Sequence, residues 1–515
     1  MKILPIDNAK INNKNLNLSE TSRQRQASPV FTATQPSLVL KSHYGSALVF
    51  MSQTEKLKNE TQKFPQDIEY RKSVLKNAGL PSSNQHRIRA IIGPDEIGSV
   101  LKDFNDNEQF YSVGKDDENI LNHKMRANLH IHTTASDGEM TVKELLDKAA
   151  EYADSVAKNN PNAKNAPFVI GITDHDTTEG AKEAIKTVYE NPLKYRNLRV
   201  ILGVEMTTFN NILPDVVGEP TNTHVLIYGV DPYEKNFNGF IDGIKTKKGA
   251  VAEKMIETAN SVYSEHFNEE NFFNIAQARE EYNPLSKNIL GIYNNVDCYI
   301  RNKFAVKHVI LQDTKITAAL QENHIPTDAD GFMAKLSEYH EGLDKKNKVL
   351  PPEKTLPEFI SESTGLDKGE IAERLTIGLK DKEGAYSALS KSLEPYKITL
   401  RQKQDYMPAF SDLLEGTKSQ KGVLMGLAHP IDYTKMAKDE NSKYSFLGEL
   451  YSRFKAECKE KARFSEVYYQ SYKPCRKEFK ENWKTKYFMN GVSKVYSLLK
   501  TGSADSHGLS IFKRL

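Results

Sequence analysis

Short apolar runs that end in histidine, aspartate or glutamate recur along the chain, and this pattern most constrains its fold. The runs alternate with amphipathic stretches such as TVKELLDKAAEYAD and EGAKEAIKTVYE, which have the apolar spacing of helices. Alternation of buried strands with helices is typical of parallel β/α architecture. Because strand ends converge at one end of an α/β barrel, the polar residues that follow the runs are expected to meet there.

Nine side chains of metal-ligand type stand at or near the ends of these runs. His130 and His132 alternate on one strand, which places both imidazoles on the same face. The other seven are Asp137, His175, Glu205, His224, His429, Asp505 and His507. A mixture of imidazole and carboxylate suits borderline cations such as Zn, Mn or Fe. The sequence therefore predicts a dense metal site.

Each of these residues alone has an ordinary structural explanation. A histidine near a strand end is commonly structural, and in TDHD either Asp174 or Asp176 could cap a helix. Joint occurrence favours the metal site, since six of the 13 histidines lie in these contexts. The remaining seven lie in tail or helical sequence, and we interpret them as surface or structural residues.

Composition divides the 515-residue chain into five segments. Residues 1–53 are rich in Asn, Ser, Thr and Gln and are predicted to be a disordered tail. Residues 54–125 are predicted to form a small N-terminal α/β element with a strand over His86–Ile92. Two parts of the barrel, 126–231 and 422–515, flank a long helical insertion at 232–421, which could act as a lid.

Charge and cysteine usage narrow the class of protein. Lys and Arg number 71 against 68 Asp and Glu, which gives no overall case for nucleic acid or an anionic membrane. No apolar run is long enough to predict a membrane span. Cys298, Cys458 and Cys475 have neither zinc-site nor disulfide spacing, so we expect thiols in a reducing cytoplasm.

The order of the motifs resembles a known family. NLHIHTTASDG, GITDHDTTEG, GVEM, a histidine before an apolar strand, AHP and SADSHG follow one another as in the PHP (polymerase and histidinol phosphatase) family. The resemblance covers about residues 126–231 and 422–508. It implies a distorted seven-stranded β/α barrel that holds two or three divalent ions and acts as a metal-dependent phosphoesterase.

The resemblance also implies a role for each of the nine residues. One ion would be held by His130, His132, Glu205 and Asp505. A second would be held by Glu205 as a bridge, with His224 and His429. A third would be held by Asp137, His175 and His507. Catalysis is expected from a metal-bridging hydroxide beside Glu205, with His224 or His429 as proton donor to the leaving oxygen.

The substrate stays open at this level. We expect a nucleotide or a short single-stranded nucleic acid, with Arg301 of the insertion contacting a second phosphate, although charged helical residues usually form a solvated face. Histidinol phosphate or a sugar phosphate is the alternative. An amidohydrolase that cleaves C–N bonds is disfavoured, because Glu205 stands where such barrels often need a carboxylated lysine. A non-catalytic, metal-stabilised interaction protein is the alternative of another class.

Overall fold

A computed structural model describes residues 63–106, 126–159, 168–213, 221–282, 289–342, 352–402, 407–469 and 476–508. The predicted tail at residues 1–53 lies outside them, as do Cys475 and all of residues 107–125. Cys298 and Cys458 are buried. Within the described ranges, no helix combines the length and the apolar character needed to cross a bilayer.

Seven strands follow one another in a curled sheet that forms the barrel. They are β2 (Ala127–Ile131), β3 (Phe168–Ile172), β4 (Leu198–Asn210), β5 (Thr221–Tyr228), β6 (Leu424–Leu427), β7 (Ala462–Tyr469) and β8 (Leu499–Ser503), and the short β1 (Ile91–Ile92) pairs with β4. The pairs are parallel except β4–β5 and β5–β6, so β5 runs against both neighbours.

The first and last strands of this line meet at their carboxyl ends. The His132 amide donates to the Ser506 carbonyl at 2.9 Å, and the Ser506 amide donates to the His130 carbonyl at 3.1 Å. These bonds join the residues that follow β2 to those that follow β8. The predicted distorted seven-stranded α/β barrel is confirmed.

Helices surround the barrel and form the insertion. Those before the insertion are α1 (Pro65–Asn77), α2 (Pro94–Asp106), α3 (Val142–Asn159) and α4 (Glu179–Glu190). Those within 232–421 are α5 (Lys235–Phe267), α6 (Ile275–Tyr282), α7 (Ile289–His308), α8 (Thr314–Glu322), α9 (Ala329–Gly342), α10 (Pro352–Thr364), α11 (Lys368–Asp381), α12 (Glu383–Gln402) and α13 (Phe410–Gly416). Those after it are α14 (Glu440–Cys458) and α15 (Arg476–Val495). The described part of the insertion is therefore helical, as predicted.

The described apolar side chains form two cores that share elements at the junctions of the insertion. The barrel core includes Phe237 and Ile241 from the start of α5 and Phe410 from α13. The insertion core includes Phe209 of β4, together with residues from α5 onward. The insertion thus packs directly on the barrel where it leaves and where it returns.

Of two local predictions from the sequence, the cap of α3 is confirmed and the strand over His86–Ile92 is wrong. The spacing of Thr141 and Glu144 in the sequence predicts a capping box at the start of α3. It is confirmed, since the Thr141 amide donates to Glu144 Oε2 at 2.8 Å and the Glu144 amide donates to Thr141 Oγ1 at 3.2 Å. The predicted strand over His86–Ile92 is wrong: Ser82–Ile88 is a 3₁₀ helix and only Ile91–Ile92 pairs with β4. Ile88 is as buried as the two strand isoleucines, so a 3₁₀ turn satisfies the same apolar pattern.

Gly171 offers a test of the close approach between β2 and β3. A Cβ at this position would lie 2.2 Å from the backbone oxygen of Leu129 in β2. Gly171→Ala should therefore lower the free energy of unfolding by about 1–3 kcal/mol, as expected when a side chain is forced into a filled space. Urea unfolding of the metal-free protein measures the change.

Gly98→Ala is the matched control for that substitution. Gly98 lies inside α2, and a Cβ there would meet nothing within 4 Å. Alanine should raise the free energy of unfolding by about 0.5–1 kcal/mol through its helix propensity. Equal effects of the two substitutions would contradict the packing described for β2 and β3.

The surroundings of His308 make the stability of the insertion depend on pH. Its ring stacks on Phe267 with centroids 4.1 Å apart, and its Nε2 lies 2.8 Å from the Tyr263 hydroxyl. Burial lowers the pKa of His308 to about 4, and Lys307 adds to the shift. Because an unfolded histidine titrates near pH 6.5, falling pH protonates His308 in the unfolded state before it does so in the folded state. The contribution of neutral His308 to the free energy of unfolding is therefore complete above about pH 6.5 and is lost as the pH falls toward 4.

His308→Gln should remove this part of the pH dependence, because glutamine stays neutral. The measurement is thermal unfolding of the wild type and the variant from pH 7.5 to 4.5. His266→Gln at an exposed position of α5 is the control. The idea fails if His308→Gln and wild type lose stability in parallel across this range.

Candidate metal centre

The structure brings all nine predicted side chains into one cluster. His130 lies on β2 and His132 directly after it, while Glu205 and His224 lie on the paired strands β4 and β5. The others stand in the segments that follow strands: Asp137, His175, His429, Asp505 and His507. The loops that follow strands deliver most of the cluster, as the barrel rule predicts.

The deepest group surrounds the Nε2 atoms of His130 and His132, which are 3.0 Å apart. Glu205 Oε2 lies 3.0 Å from the Nε2 of His130 and 3.1 Å from that of His132. Asp505 Oδ1 lies 3.4 Å and 3.3 Å from the same two nitrogens. All four side chains are buried. Four donor atoms thus face a common point, and they are the four that were predicted to share one ion.

The other oxygen of Glu205 faces a different pair of histidines. Glu205 Oε1 lies 2.9 Å from His224 Nδ1 and 3.0 Å from His429 Nε2. On the Oε2 side, His175 Nδ1 lies 3.2 Å from Glu205. His175, Glu205 and His224 form a second group able to hold an ion. The predicted second set is therefore gathered around Glu205, with His175 as an additional neighbour.

The third group forms around Asp137. Asp137 Oδ1 lies 3.4 Å from His507 Nε2 and 3.5 Å from His132 Nδ1, and its Oδ2 lies 3.8 Å from His175 Nε2. His132, Asp137, His175 and His507 each offer one ligand atom within 4.8 Å of the others. This set is the predicted third set with His132 added.

In the cluster, burial disfavours the charged forms of the ionisable side chains, while neighbours of opposite charge favour them. Burial acts against the charged form of His130, but Glu205, Glu466 and Asp505 outweigh it and hold the pKa of His130 well above its ordinary value. For His132, burial is likewise overcome by the hydrogen bonds that Asp505 and Glu205 accept from the ring, which raise the pKa of His132 to about 10. Burial would raise the pKa of Glu205, yet the surrounding imidazoles keep it well below its usual range. The carboxylates thus retain protons on His130 and His132, whereas burial lowers the pKa of His175 to about 4. Bound cations would replace the retained protons.

The donor set fits divalent metal ions. Asp137 Oδ1 and His175 Nδ1 are buried and make no hydrogen bond to any described residue, which is costly unless something else satisfies them. Carboxylate oxygens and imidazole nitrogens are ligands for divalent ions of the Zn, Mn and Fe type. Divalent ions would satisfy these atoms.

Glu466 was missed by the sequence analysis. It lies on β7, where its Oε2 is 3.2 Å from His130 Nδ1 and accepts from the His429 amide at 2.9 Å. Its Oε1 accepts from the Ser503 hydroxyl on β8. A carboxylate behind a ligand histidine fixes the tautomer and orientation of the ring. The available signal was an acid, Glu466, inside a strand that is apolar on both sides of it at Phe464 and Val467.

Asp174 and Asp176 hold the loops of the cluster together and do not cap a helix. Asp174 Oδ1 accepts from the Thr133 amide and from the Ser136 hydroxyl, both at 2.7 Å. These bonds tie the loop after β2 to the loop after β3. At the start of α4, the capping position is Thr178, and its side chain makes no cap hydrogen bond.

Arg301 lies on α7, inside the insertion. Its Nη2 is 3.6 Å from Glu353 Oε2, its Nε is 3.9 Å from Asp297 Oδ2, and its guanidinium faces the Tyr386 ring. Those partners all belong to the insertion, and the contacts described for Arg301 do not reach the nine-residue cluster. Its role as a substrate contact stays a prediction.

Comparison with known proteins gives one curated relative. The chain is 29% identical over 106 residues to a 3',5'-nucleoside bisphosphate phosphatase of Chromobacterium violaceum, a match that covers 21% of this chain and 28% of that protein. The chain therefore spans less than a third of the relative's length in this match. No family model matches the chain.

Two solved structures are also similar. One is assigned as a metal-dependent phosphoesterase from Bifidobacterium adolescentis, at 14% identity and a TM-score of 0.33 over 74% of this chain and 87% of that one. The other is an amidohydrolase from Chromobacterium violaceum with bound sulfate, at 15% identity and a TM-score of 0.34 over 74% and 88%.

The barrel carries a cluster of side chains able to bind metal ions. Ordered motifs, a seven-stranded barrel and three overlapping groups of His, Asp and Glu occur together in this chain. The order of the motifs resembles the PHP family, and the curated protein reported above is a phosphatase.

Glu466→Gln tests the layer behind the ligands. Glutamine keeps the size of the side chain but removes the charge that faces His130 Nδ1. We expect affinity for Mn²⁺ to fall about 10- to 100-fold, the usual cost of changing such a partner, with the barrel still folded. Calorimetric titration of the metal-free protein measures the affinity.

Glu460→Gln is the control, because Glu460 is exposed just before the same strand. It should bind Mn²⁺ as the wild type does. Unchanged affinity in Glu466→Gln would show that the carboxylate has no part in holding His130.

Proposed function

We propose that this protein hydrolyses phosphate esters with the help of two or three divalent ions, and that its substrate is a nucleotide or a short single-stranded nucleic acid. The observation that carries the proposal is Glu205, whose two oxygens face two different groups of imidazoles at 2.9–3.2 Å. A carboxylate shared in this way suits a site of more than one ion. The nucleotide part is supported by the nucleoside bisphosphate phosphatase to which the chain is similar.

The three predicted ion sites remain part of the proposal. Glu205 and Asp505 would neutralise the ion held with His130 and His132. Mn, Zn or Fe would suit the mixture of nitrogen and oxygen donors. Ions bound here would supply Lewis acidity toward the phosphate oxygens and toward an attacking water.

Exposure indicates where substrate enters. The side chains of His130 and His132 are 0% exposed, whereas those of Asp137, His224 and His507 are 30%, 20% and 16% exposed. Substrate would therefore approach past Asp137, His224 and His507. The buried group of His130, His132, Glu205 and Asp505 would lie behind them. An enclosed base of this kind limits the access of bulk water to the reacting phosphate.

His224 is the better placed of the two predicted proton donors. Its Nδ1 faces Glu205 and its side chain is 20% exposed, so its other ring nitrogen, Nε2, would be the one to meet a substrate. The His429 side chain is 8% exposed, with its Nε2 directed at Glu205. We propose that His224 Nε2 gives a proton to the leaving oxygen, while His429 holds Glu205 in place.

The test of the proposed function is hydrolysis by the Mn-loaded protein. We expect release of phosphate from a 3',5'-nucleoside bisphosphate or a short oligonucleotide, faster than from histidinol phosphate, and loss of activity with a chelator. Glu205→Gln should reduce kcat/KM more than about 100-fold, since even residues behind the ligands cost 10- to 100-fold. Glu460→Gln serves again as the exposed control.

The outcomes separate the competing functions. Preference for histidinol phosphate or a sugar phosphate would replace the nucleotide substrate but keep the chemistry. Hydrolysis of amides alone would favour the amidohydrolase alternative. A folded, Mn-loaded protein that releases phosphate from none of these esters would leave the non-catalytic alternative. Arg301→Ala, assayed on the nucleotides, tests the predicted contact of that residue.

A further inference from the structure

Helix α5 of the insertion contacts the loop that carries His175. Thr178 Oγ1 donates to Asn238 Oδ1 at 2.8 Å, and Lys245 Nζ donates to Thr177 Oγ1 at 3.5 Å. Lys248 Nζ lies 2.5 Å from Asp176 Oδ2. Asn238, Lys245 and Lys248 are seven and three residues apart, which places them on one face of the helix. One face of α5 therefore follows the three residues after His175.

The last of these contacts is a buried ion pair. Lys248 is 1% exposed and Asp176 is 4% exposed. Lysine is almost never fully buried without a charged partner, and removal of one member of a buried pair leaves the other charge uncompensated. The pair therefore links α5 firmly to the loop.

Asp176 also reaches the strand that carries Glu205. Its Oδ1 accepts from the Thr207 amide at 2.9 Å, and its own amide donates to the Glu205 carbonyl at 3.0 Å. Its backbone has φ +48°, a conformation that costs energy for a residue other than glycine. One aspartate thus connects α5, the His175 loop and β4, and the surrounding bonds hold it in a strained conformation.

The far junction of the insertion is fixed to the same strand. The Phe209 amide donates to the Pro408 carbonyl at 3.0 Å, and the Phe410 amide donates to Asn210 Oδ1 at 3.2 Å. The Phe209 side chain packs in the insertion core. The insertion is therefore held at both ends by the loop and the strand that present His175 and Glu205.

We propose that Lys248 is a positioning residue for the metal centre, because through Asp176 it sets the distance between His175 and Glu205. The same ion pair fixes helix α5 of the insertion next to the site. His175 Nδ1 and Glu205 Oε2 are 3.2 Å apart, and they belong to one of the groups able to hold an ion. Without the ammonium group, the buried Asp176 carboxylate would move toward water and draw the His175 loop away from β4. This inference rests on the proposed metal centre, and it concerns the binding of the ion apart from the hydrolysis.

Mn²⁺ titration of the metal-free protein tests the role of Lys248. Lys248→Met removes the charge and keeps most of the side-chain volume. It should weaken the binding of at least one ion about 10- to 100-fold, and Lys248→Arg should restore most of that loss because it keeps the charge. Lys303→Met is the control: Lys303 is 2% exposed on α7 and pairs with Asp330 at 2.6 Å, within the insertion. It should lower the melting temperature and leave the Mn²⁺ affinity unchanged.

A double substitution keeps the test informative if Lys248→Met does not fold. Lys248→Met with Asp176→Asn leaves no buried charge unpaired, and the asparagine oxygen can still accept from Thr207. The double variant should fold and still bind Mn²⁺ at least about tenfold more weakly than the wild type, because methionine makes no hydrogen bond to residue 176 and α5 no longer holds the His175 loop. Wild-type affinity in a folded Lys248→Met protein or in the double variant would overturn the positioning role.

Hydrolysis assays on the same proteins separate this inference from the proposed function. A wild-type protein that binds Mn²⁺ but cleaves no phosphate ester, with weakened binding in Lys248→Met, would refute the function and retain the positioning role. A wild-type protein that cleaves the ester, with unchanged Mn²⁺ binding in Lys248→Met, would do the reverse.

Discussion

The metal centre depends on one carboxylate, that of Glu205, whose two oxygens face different groups of histidines. Glu205 is completely buried, yet its Oε2 faces His130, His132 and His175 while its Oε1 faces His224 and His429. A buried carboxylate is tolerated only when its charge is compensated. In the metal-free protein the raised pKa values of His130, His132 and His429 favour that compensation, and the same imidazoles would be ligands once cations take the place of protons.

A second layer of acids holds these ligands in place. Glu466 contacts His130 and the backbone of His429, Asp174 ties the loop after β2 to the loop after β3, and Asp176 joins the His175 loop to β4. Each of the three is buried and accepts from backbone amides as well as from side chains. Groups of this kind orient metal ligands and are as necessary to the geometry as the ligands themselves.

The insertion is connected to this second layer. Lys248 of α5 pairs with Asp176, and Phe209 at the end of β4 packs in the insertion core. Arg301, which the sequence suggested as a substrate contact, pairs with Asp297 and Glu353 within the insertion. Two lysines on the first helix of the insertion, Lys245 and Lys248, contact the loop that carries His175, and these contacts indicate a structural link between insertion and site.

The sequence by itself predicted alternating β/α architecture and the nine members of the cluster from local patterns, and the resemblance of its motifs implied the seven-stranded barrel. Apolar runs of strand length specify buried strands, and a histidine or acid at the end of such a run is carried to the same edge as its neighbours. The alternation of His130 with His132 and the capping box of Thr141 with Glu144 are readable for the same reason. Local pattern was insufficient at His86–Ile92, where a 3₁₀ turn and a short strand bury the same isoleucines.

Only the tertiary structure decided that Glu466 stands behind His130, 336 positions away in sequence, and that Lys248 meets Asp176 across 72 positions. Such pairs leave no periodic signal, because each is created by the packing of elements whose separation along the chain is arbitrary.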